Sequence, residues 1–143
     1  MASHHHRYGS NSSAGCSEPR RALAIHVIAD LYGCAEGVLD DTNAVRAAML
    51  EAARAARAAI VGEQFHRFSP IGVSGVVLIS ESHFAIHTWP EHGLASVDLF
   101  TCGTSLDADA ALSVLRERFR SCEVVRRDIE RGDPSRIVRP PSG

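Results

Sequence analysis

A serine, three histidines and a cysteine crowd a short span of this 143-residue chain: Ser82, His83, His87, His92 and Cys102. Each of these side chains can do chemistry. Serine and cysteine are nucleophiles once activated, histidine moves protons near neutral pH and ligates metals, and a thiol can give up its proton. Three such chemistries stand against a purely structural role, the usual one for a single buried serine or histidine. A shared zinc needs His83 and His87 close together. On a helix an i, i+4 pair shares a face, but Pro90 and the surrounding residues favour a strand. There the pair stands ~13 Å apart at about 3.3 Å per residue, farther than two ligands of one zinc. A hydrolytic Ser82–His87 pair lacks the G-x-S-x-G elbow. Its five-residue offset also puts the two side chains on opposite faces of a regular strand. The third chemistry, cleavage of the backbone at Ser82, turns on the rest of the sequence.

The elements that must position these residues are legible from periodicity. Residues 21–30 form a short apolar run expected of a well-covered strand, broken at Tyr32-Gly33. Asp40-Asp41-Thr42-Asn43 offers helix N-caps. Val45, Ala48, Met49, Ala52, Ala56, Ala59 and Ile60 then recur at helical spacing, with Gly62 just past the predicted end. Residues 65–68 read as a strand ended by Ser69-Pro70, and Gly72 and Gly75 flank Ser74 at a bend or close approach. Residues 76–79 read as a buried strand, and 84–88 as another or as its continuation past a kink. Pro90-Glu91-His92-Gly93 is a turn, Leu94 to Thr101 the next strand, and Trp89 reads as core. Asp107 caps a second helix carrying Ala108, Ala111, Leu112, Leu115 and Phe119, and residues 122–129 close as a last strand. Short turns between consecutive strands force antiparallel pairing. The predicted fold is therefore α+β: a two-layer sandwich, mainly antiparallel sheet with two helices on one face.

The length suits one domain with a real core, here residues 20–132. Residues 1–19 are Ser-, Gly- and His-rich without an apolar segment and read as a disordered tail, His4-His5-His6 included. Residues 133–143 read as a loose C-terminal tail. A net charge of −2 gives no case for nucleic acid or an anionic membrane surface. No apolar run approaches the ~20 residues that span a bilayer. The four cysteines lie far apart without a C-x-x-C pair, so free thiols and a cytoplasmic location are expected.

Glu81-Ser82, His87, Thr88-x-Pro90-Glu91 and Phe100-Thr101-Cys102-Gly103 follow in order after Phe68-Ser69-Pro70-x-Gly72-x-Ser74-Gly75. This set resembles the processing and catalytic segment of S-adenosylmethionine decarboxylase proenzymes in their short bacterial, pyruvoyl-dependent form, and the likeness runs from about Arg21 to about Arg131. The resemblance implies that Ser82 Oγ attacks the Glu81 carbonyl, turning an amide into an ester. β-Elimination then cuts the chain into a β chain, residues 1–81, and an α chain, residues 82–143, headed by a covalent pyruvoyl group derived from Ser82. By the same resemblance His87 is the base for elimination. Ser74 is the second processing residue and binds the developing oxyanion.

The pyruvoyl ketone would form a Schiff base with S-adenosylmethionine and accept the electrons released as CO2 leaves. The product would be the aminopropyl donor for spermidine. Cys102 matches the family's proton donor, and thiols as a class still hold a proton at neutral pH. Phe68 matches the residue that stacks on adenine, and Glu91 the glutamate that accepts hydrogen bonds from the ribose hydroxyls; core packing and a plain turn are their structural alternatives. The long eukaryotic relatives are a fused pair of such domains. Together with the opposite faces of Ser82 and His87, that implies a homodimer of processed αβ units sharing sites across its interface. Two other functions stay open: a pyruvoyl decarboxylase of a basic amino acid such as ornithine or arginine, and an unprocessed, non-catalytic homologue. Phe68 and Glu91 weigh against the first, and the intact Glu81-Ser82, His87 and Cys102 against the second.

Overall fold

Antiparallel pairing runs through the whole sheet. The computed structural model describes residues 22–80, 82–102 and 105–141, so the predicted N-terminal tail, Glu81 and Gly103 lie outside the described residues. The six strands are β1 (Ala24–Tyr32), β2 (Ile60–Arg67), β3 (Val73–Ile79), β4 (Ser82–Trp89), β5 (Leu94–Thr101) and β6 (Glu123–Arg131). They lie in the order β2-β3-β4-β5-β1-β6, and every neighbouring pair is antiparallel. Helices α1 (Thr42–Ala55) and α2 (Ala108–Phe119) pack on each other, and their buried residues share one core with the sheet. This is the predicted two-layer α+β sandwich.

Period-two alternation decides which face each strand residue takes. Toward the helices point Val27, Ala29 and Leu31 of β1, Val77 and Ile79 of β3, Phe84 and Ile86 of β4, and Ala95, Val97 and Leu99 of β5, all buried. Phe119 and Leu115 of α2 and Val45 and Met49 of α1 close the core from the other layer. Each such fully buried large side chain contributes about 1.5–3 kcal/mol. Asp41 caps α1 by accepting from the Ala44 N–H at 3.1 Å, and Asp107 caps α2 by accepting from the Ala110 N–H at 2.9 Å.

Three readings differ from the sequence expectation, each for a physical reason: the end of α1, the backbone at Ser74, and the burial of Leu78 and Trp89. Helix α1 stops at Ala55, not near Ile60. Its end is a Schellman turn, with the Arg57 N–H bonded to Arg54 O, the Ala58 N–H to Ala53 O, and Arg57 itself at φ +64. The glycine that usually marks such a turn is missing, so Ala59 and Ile60 read as one more helical turn. Ile60 instead opens β2 and faces Ile79 across the ladder. Ser74 sits in regular strand pairing, not at a bend, although Gly75 beside it is a true close approach: a Cβ there would lie 2.0 Å from the Phe65 ring. Leu78, predicted buried, is half-exposed because alternation turns it away from the helices, and the same parity leaves Trp89 exposed. Of the two alternatives left open for residues 84–88, the separate strand holds: β3 and β4 are two strands joined tightly, with Ile79 paired to Ser82. In the C-terminal tail, Asp133 caps one short 3-10 turn, Pro134–Arg136. Among the described residues no helix is long and apolar enough to cross a membrane.

Candidate active site

Among the described residues the second face of the sheet carries no helix, and most of the chemistry-bearing side chains gather there. By register it presents His26, Ile28, Asp30 and Tyr32 from β1, Ser96, Asp98 and Phe100 from β5, and His83, His87 and Trp89 from β4. Ser74 and Leu78 come from β3. His83 and His87 do share this face, four residues apart on one strand.

At one end, Ser74 and His87 are cross-strand partners, and Ser74 Oγ lies 2.7 Å from His87 Nδ1. At that distance the two atoms share a hydrogen bond, the hydroxyl serving as donor or acceptor according to the tautomer of the ring. The pair is a serine–histidine couple ready for proton transfer, formed by residues thirteen positions apart. Beside it the Trp89 ring is tilted against His87 at 6.4 Å.

Phe68 and Glu91 belong to the same end. Phe68, 47% exposed, follows β2 and packs edge-on against His66 at 4.7 Å. Glu91 is exposed in the 3-10 turn Pro90–His92 that follows β4 and closes on Gly93 at φ +59. The Gly72 position lies against both segments: a Cβ there would meet Thr88 O at 3.1 Å and Pro90 Cδ at 4.0 Å.

Ser82 lies at the opposite end of β4, five residues and therefore about 16 Å from His87. Its ladder partners Ile79 and Thr101 are both buried, so its side chain faces the helix layer while that of His87 faces away. Cys102, exposed, directly follows Thr101. Ser82 and Cys102 thus form one group, Ser74 and His87 another, and a single subunit does not bring the two together.

Between the groups runs a cluster that sequence reading missed. The Phe100 ring is stacked by His83 at 5.8 Å and met edge-on by His26 at 5.4 Å, with the Arg131 guanidinium 5.6 Å from its centre. Arg131 donates to His26 Nδ1 at 3.4 Å, leaving the proton on Nε2, which lies 3.4 Å from Asp98 Oδ1 without hydrogen-bond alignment. Arg131 comes from β6 and His26 from β1, far from the segment that carries the motifs. Only the signal that His26 interrupts an apolar strand could have pointed to it. A cavity of about 320 Å³ opens nearby, lined by Asp30, Tyr32, Ser96, Asp98 and Arg127.

The S-adenosylmethionine decarboxylase family model matches residues 25–132. The S-adenosylmethionine decarboxylase proenzyme of Moorella thermoacetica is 50% identical over 121 residues, covering 85% of this chain and 94% of the relative. That of Acidithiobacillus ferrooxidans is 49% identical over 112 residues, 78% of this chain and 84% of the relative. The crystal structure of adenosylmethionine decarboxylase from Aquifex aeolicus superposes with a TM-score of 0.72 at 35% identity, covering 87% of this chain and 99% of that one.

Proposed function

The chain belongs to the S-adenosylmethionine decarboxylase family, and on that footing we propose that it matures by cutting itself between Glu81 and Ser82 and then decarboxylates S-adenosylmethionine. The observation that carries this reading is the Ser74–His87 couple at 2.7 Å, set on an open sheet face at the end of β4 opposite to Ser82. A decarboxylase of ornithine or arginine would share the processing residues, but all the relatives named above bear the S-adenosylmethionine name.

Ser82 fits as the source of a pyruvoyl group. It opens β4 directly after the connection from β3, so a cut before it parts the chain outside the ladder, and the remaining β3–β4 pairing holds the two products together. The new terminus would sit across from Thr101, one residue from the exposed Cys102 thiol. A pyruvoyl group supplies an electron-accepting carbonyl for the loss of CO2. The chain's own residues then divide the work. Ser82 Oγ attacks the preceding carbonyl, Ser74 donates to the oxygen that gains charge, and His87 takes up the proton released in elimination. Cys102 returns a proton to the substrate carbon after CO2 has left. Phe68 offers a ring face to adenine, which also suits the sulfonium charge, and Glu91 accepts from the ribose hydroxyls.

These roles span both ends of β4, so the working site is assembled from two subunits. A two-fold pairing of open faces would bring the Ser74–His87 couple of one protomer over the strand end of the other, where Ser82 opens β4 and Cys102 follows β5. The half-exposed Leu78, Trp89 and Ile129, all on that face, support the pairing by giving it apolar surface to bury. Free thiols at Cys34, Cys102 and Cys122 support a reducing, cytoplasmic setting.

Mass spectrometry of the purified protein tests the first step and CO2 release the second. Two fragments divided before residue 82, the second blocked at its amino terminus, together with turnover of S-adenosylmethionine, are expected. An uncut chain in an active preparation would overturn the proposal.

A further inference from the structure

We propose that Asp40 is a positioning residue for substrate binding, holding the Phe68–Gly72 loop in the shape that presents the Phe68 ring. The inference rests on the reading of Phe68 as a substrate contact and adds a residue that the sequence motifs do not include. Asp40 lies in the connection between β1 and α1, where Asp41 already serves as the N-cap of α1. Capping therefore does not account for a second carboxylate beside it.

The carboxylate of Asp40 reaches across to the β2–β3 loop with both oxygens. Oδ1 accepts from the Gly72 N–H at 2.8 Å and Oδ2 from Arg67 Nη2 at 2.6 Å. Arg67 donates in addition to the backbone oxygens of Asp40 and Pro70, at 3.3 and 3.4 Å. The loop closes on itself through the Phe68 N–H, bonded to Gly72 O at 2.7 Å. The neighbouring Leu39 is fixed by a second anchor: Thr88 Oγ1 donates to Leu39 O at 2.7 Å while accepting from the Val73 N–H at 2.8 Å. The 39–40 segment is thus pinned to β3 and β4 and in turn pins both ends of the loop that begins with Phe68.

The two bonds to Asp40 differ in weight. The Arg67 pair is largely exposed, and pairs of that kind contribute little by themselves. The Gly72 N–H bond is part-buried. It is also the first cause, ahead of Arg67, that holds the Asp40 carboxyl below the usual carboxylate range. Gly72 stands at φ +108, a backbone region that residues with a side chain rarely adopt, and a Cβ there would meet Thr88 O at 3.1 Å. Without its acceptor this corner loses its one side-chain anchor among the described residues, and the exposed Phe68 ring must be ordered at the moment of binding. That ordering raises KM and leaves the chemical step alone.

The test compares the rate of chain cleavage in the freshly made protein, and then steady-state kinetics of the processed enzyme, in Asp40→Ala, Asp40→Asn, Phe68→Ala and the Asp40→Ala/Phe68→Ala double variant. Asp40→Ala is expected to raise KM for S-adenosylmethionine about tenfold, with kcat and cleavage within about twofold of the parent. Asp40→Asn keeps an acceptor for Gly72 and should recover most of the loss. In the double variant KM should match that of Phe68→Ala alone, because both changes remove one contact. An unchanged KM in Asp40→Ala, or an equal fall in cleavage and kcat, overturns the inference alone. An unchanged KM in Phe68→Ala overturns the assignment of Phe68 and the inference with it.

Discussion

On the helix-covered side of the sheet Val27, Leu31, Val77, Phe84, Ile86 and Leu99 are closed off from water with α1 and α2 over them. On the other side the same strands carry His26, Asp30, Ser74, His83, His87, Asp98 and Phe100. The first face admits few polar groups, and the buried Thr88 there is paired with Leu39 O and the Val73 N–H, because an unpaired polar atom costs more than it returns. The other collects ionisable groups with incomplete partners, such as the misaligned His26 Nε2. The first face makes the fold, and the second is reserved for chemistry and for whatever covers it. Substitutions on the two faces should therefore fail in different assays.

The largest effects belong to the proposed site, which takes His87 from the open face and Ser82 from the start of β4. Ser82→Ala and His87→Ala are each expected to be inactive: the first stays uncut for want of a nucleophile, and the second stalls at an ester that hydroxylamine cleaves. Co-expressed, they should form mixed dimers in which one site pairs an intact Ser82 with an intact His87 from the other subunit. Cleavage and CO2 release should return in part. If the mixture stays dead while each variant dimerises, the site is not shared between subunits.

Cys102→Ala follows, with decarboxylation expected to fall 10²–10⁴-fold, the usual loss for a general acid, while the chain is still cut. Wild-type turnover in that variant would move the proton donor elsewhere. The two faces then separate cleanly. Phe119→Ala on the core side should cost about 3–5 kcal/mol of unfolding free energy. Leu78→Ser on the open face should leave the unfolding of the monomer nearly unchanged and weaken self-association, read by sedentation-velocity or light-scattering profiles at falling concentration.

The smallest expected effect lies on the outside of the helix layer, where Arg118 donates to both oxygens of Glu51 at 2.7 and 2.9 Å and ties α2 to α1. The Arg118 hydrogen bonds hold the Glu51 carboxyl below its ordinary range. A carboxyl lowered on folding stabilises the fold above its unfolded value, about 4.3, and that contribution fades as pH falls through the lower folded value. A small Tm difference between Glu51→Gln and the parent is therefore expected at pH 7, vanishing in acid below that range. A gap that widens toward low pH would contradict the sign.

Much of the architecture was legible because it depends on local rules. Leu94 to Thr101 alternates so regularly that the predicted strand coincides with β5, and Asp107 signals the start of α2 by its own side-chain bond. The end of α1 was not legible, because Arg57 takes the left-handed position where a glycine would have announced it. Nor was Trp89: an aromatic residue in an apolar strand reads as core, but its parity turns it to the face that carries no helix among the described residues. Asp40 was read as one of several cap candidates, since its true partners, Arg67 and Gly72, lie about thirty residues ahead.

The sequence by itself determined the family motifs, the period-two faces and the opposite orientation of Ser82 and His87 along one strand, because strand geometry is set residue by residue. Tertiary structure alone decided that Ser74 meets His87 at 2.7 Å and that His26, Phe100 and Arg131 converge from three strands. It also decided which of the two faces receives the helices. Those outcomes depend on register between distant segments, and register is fixed by how the whole apolar face packs, not by any one stretch of chain.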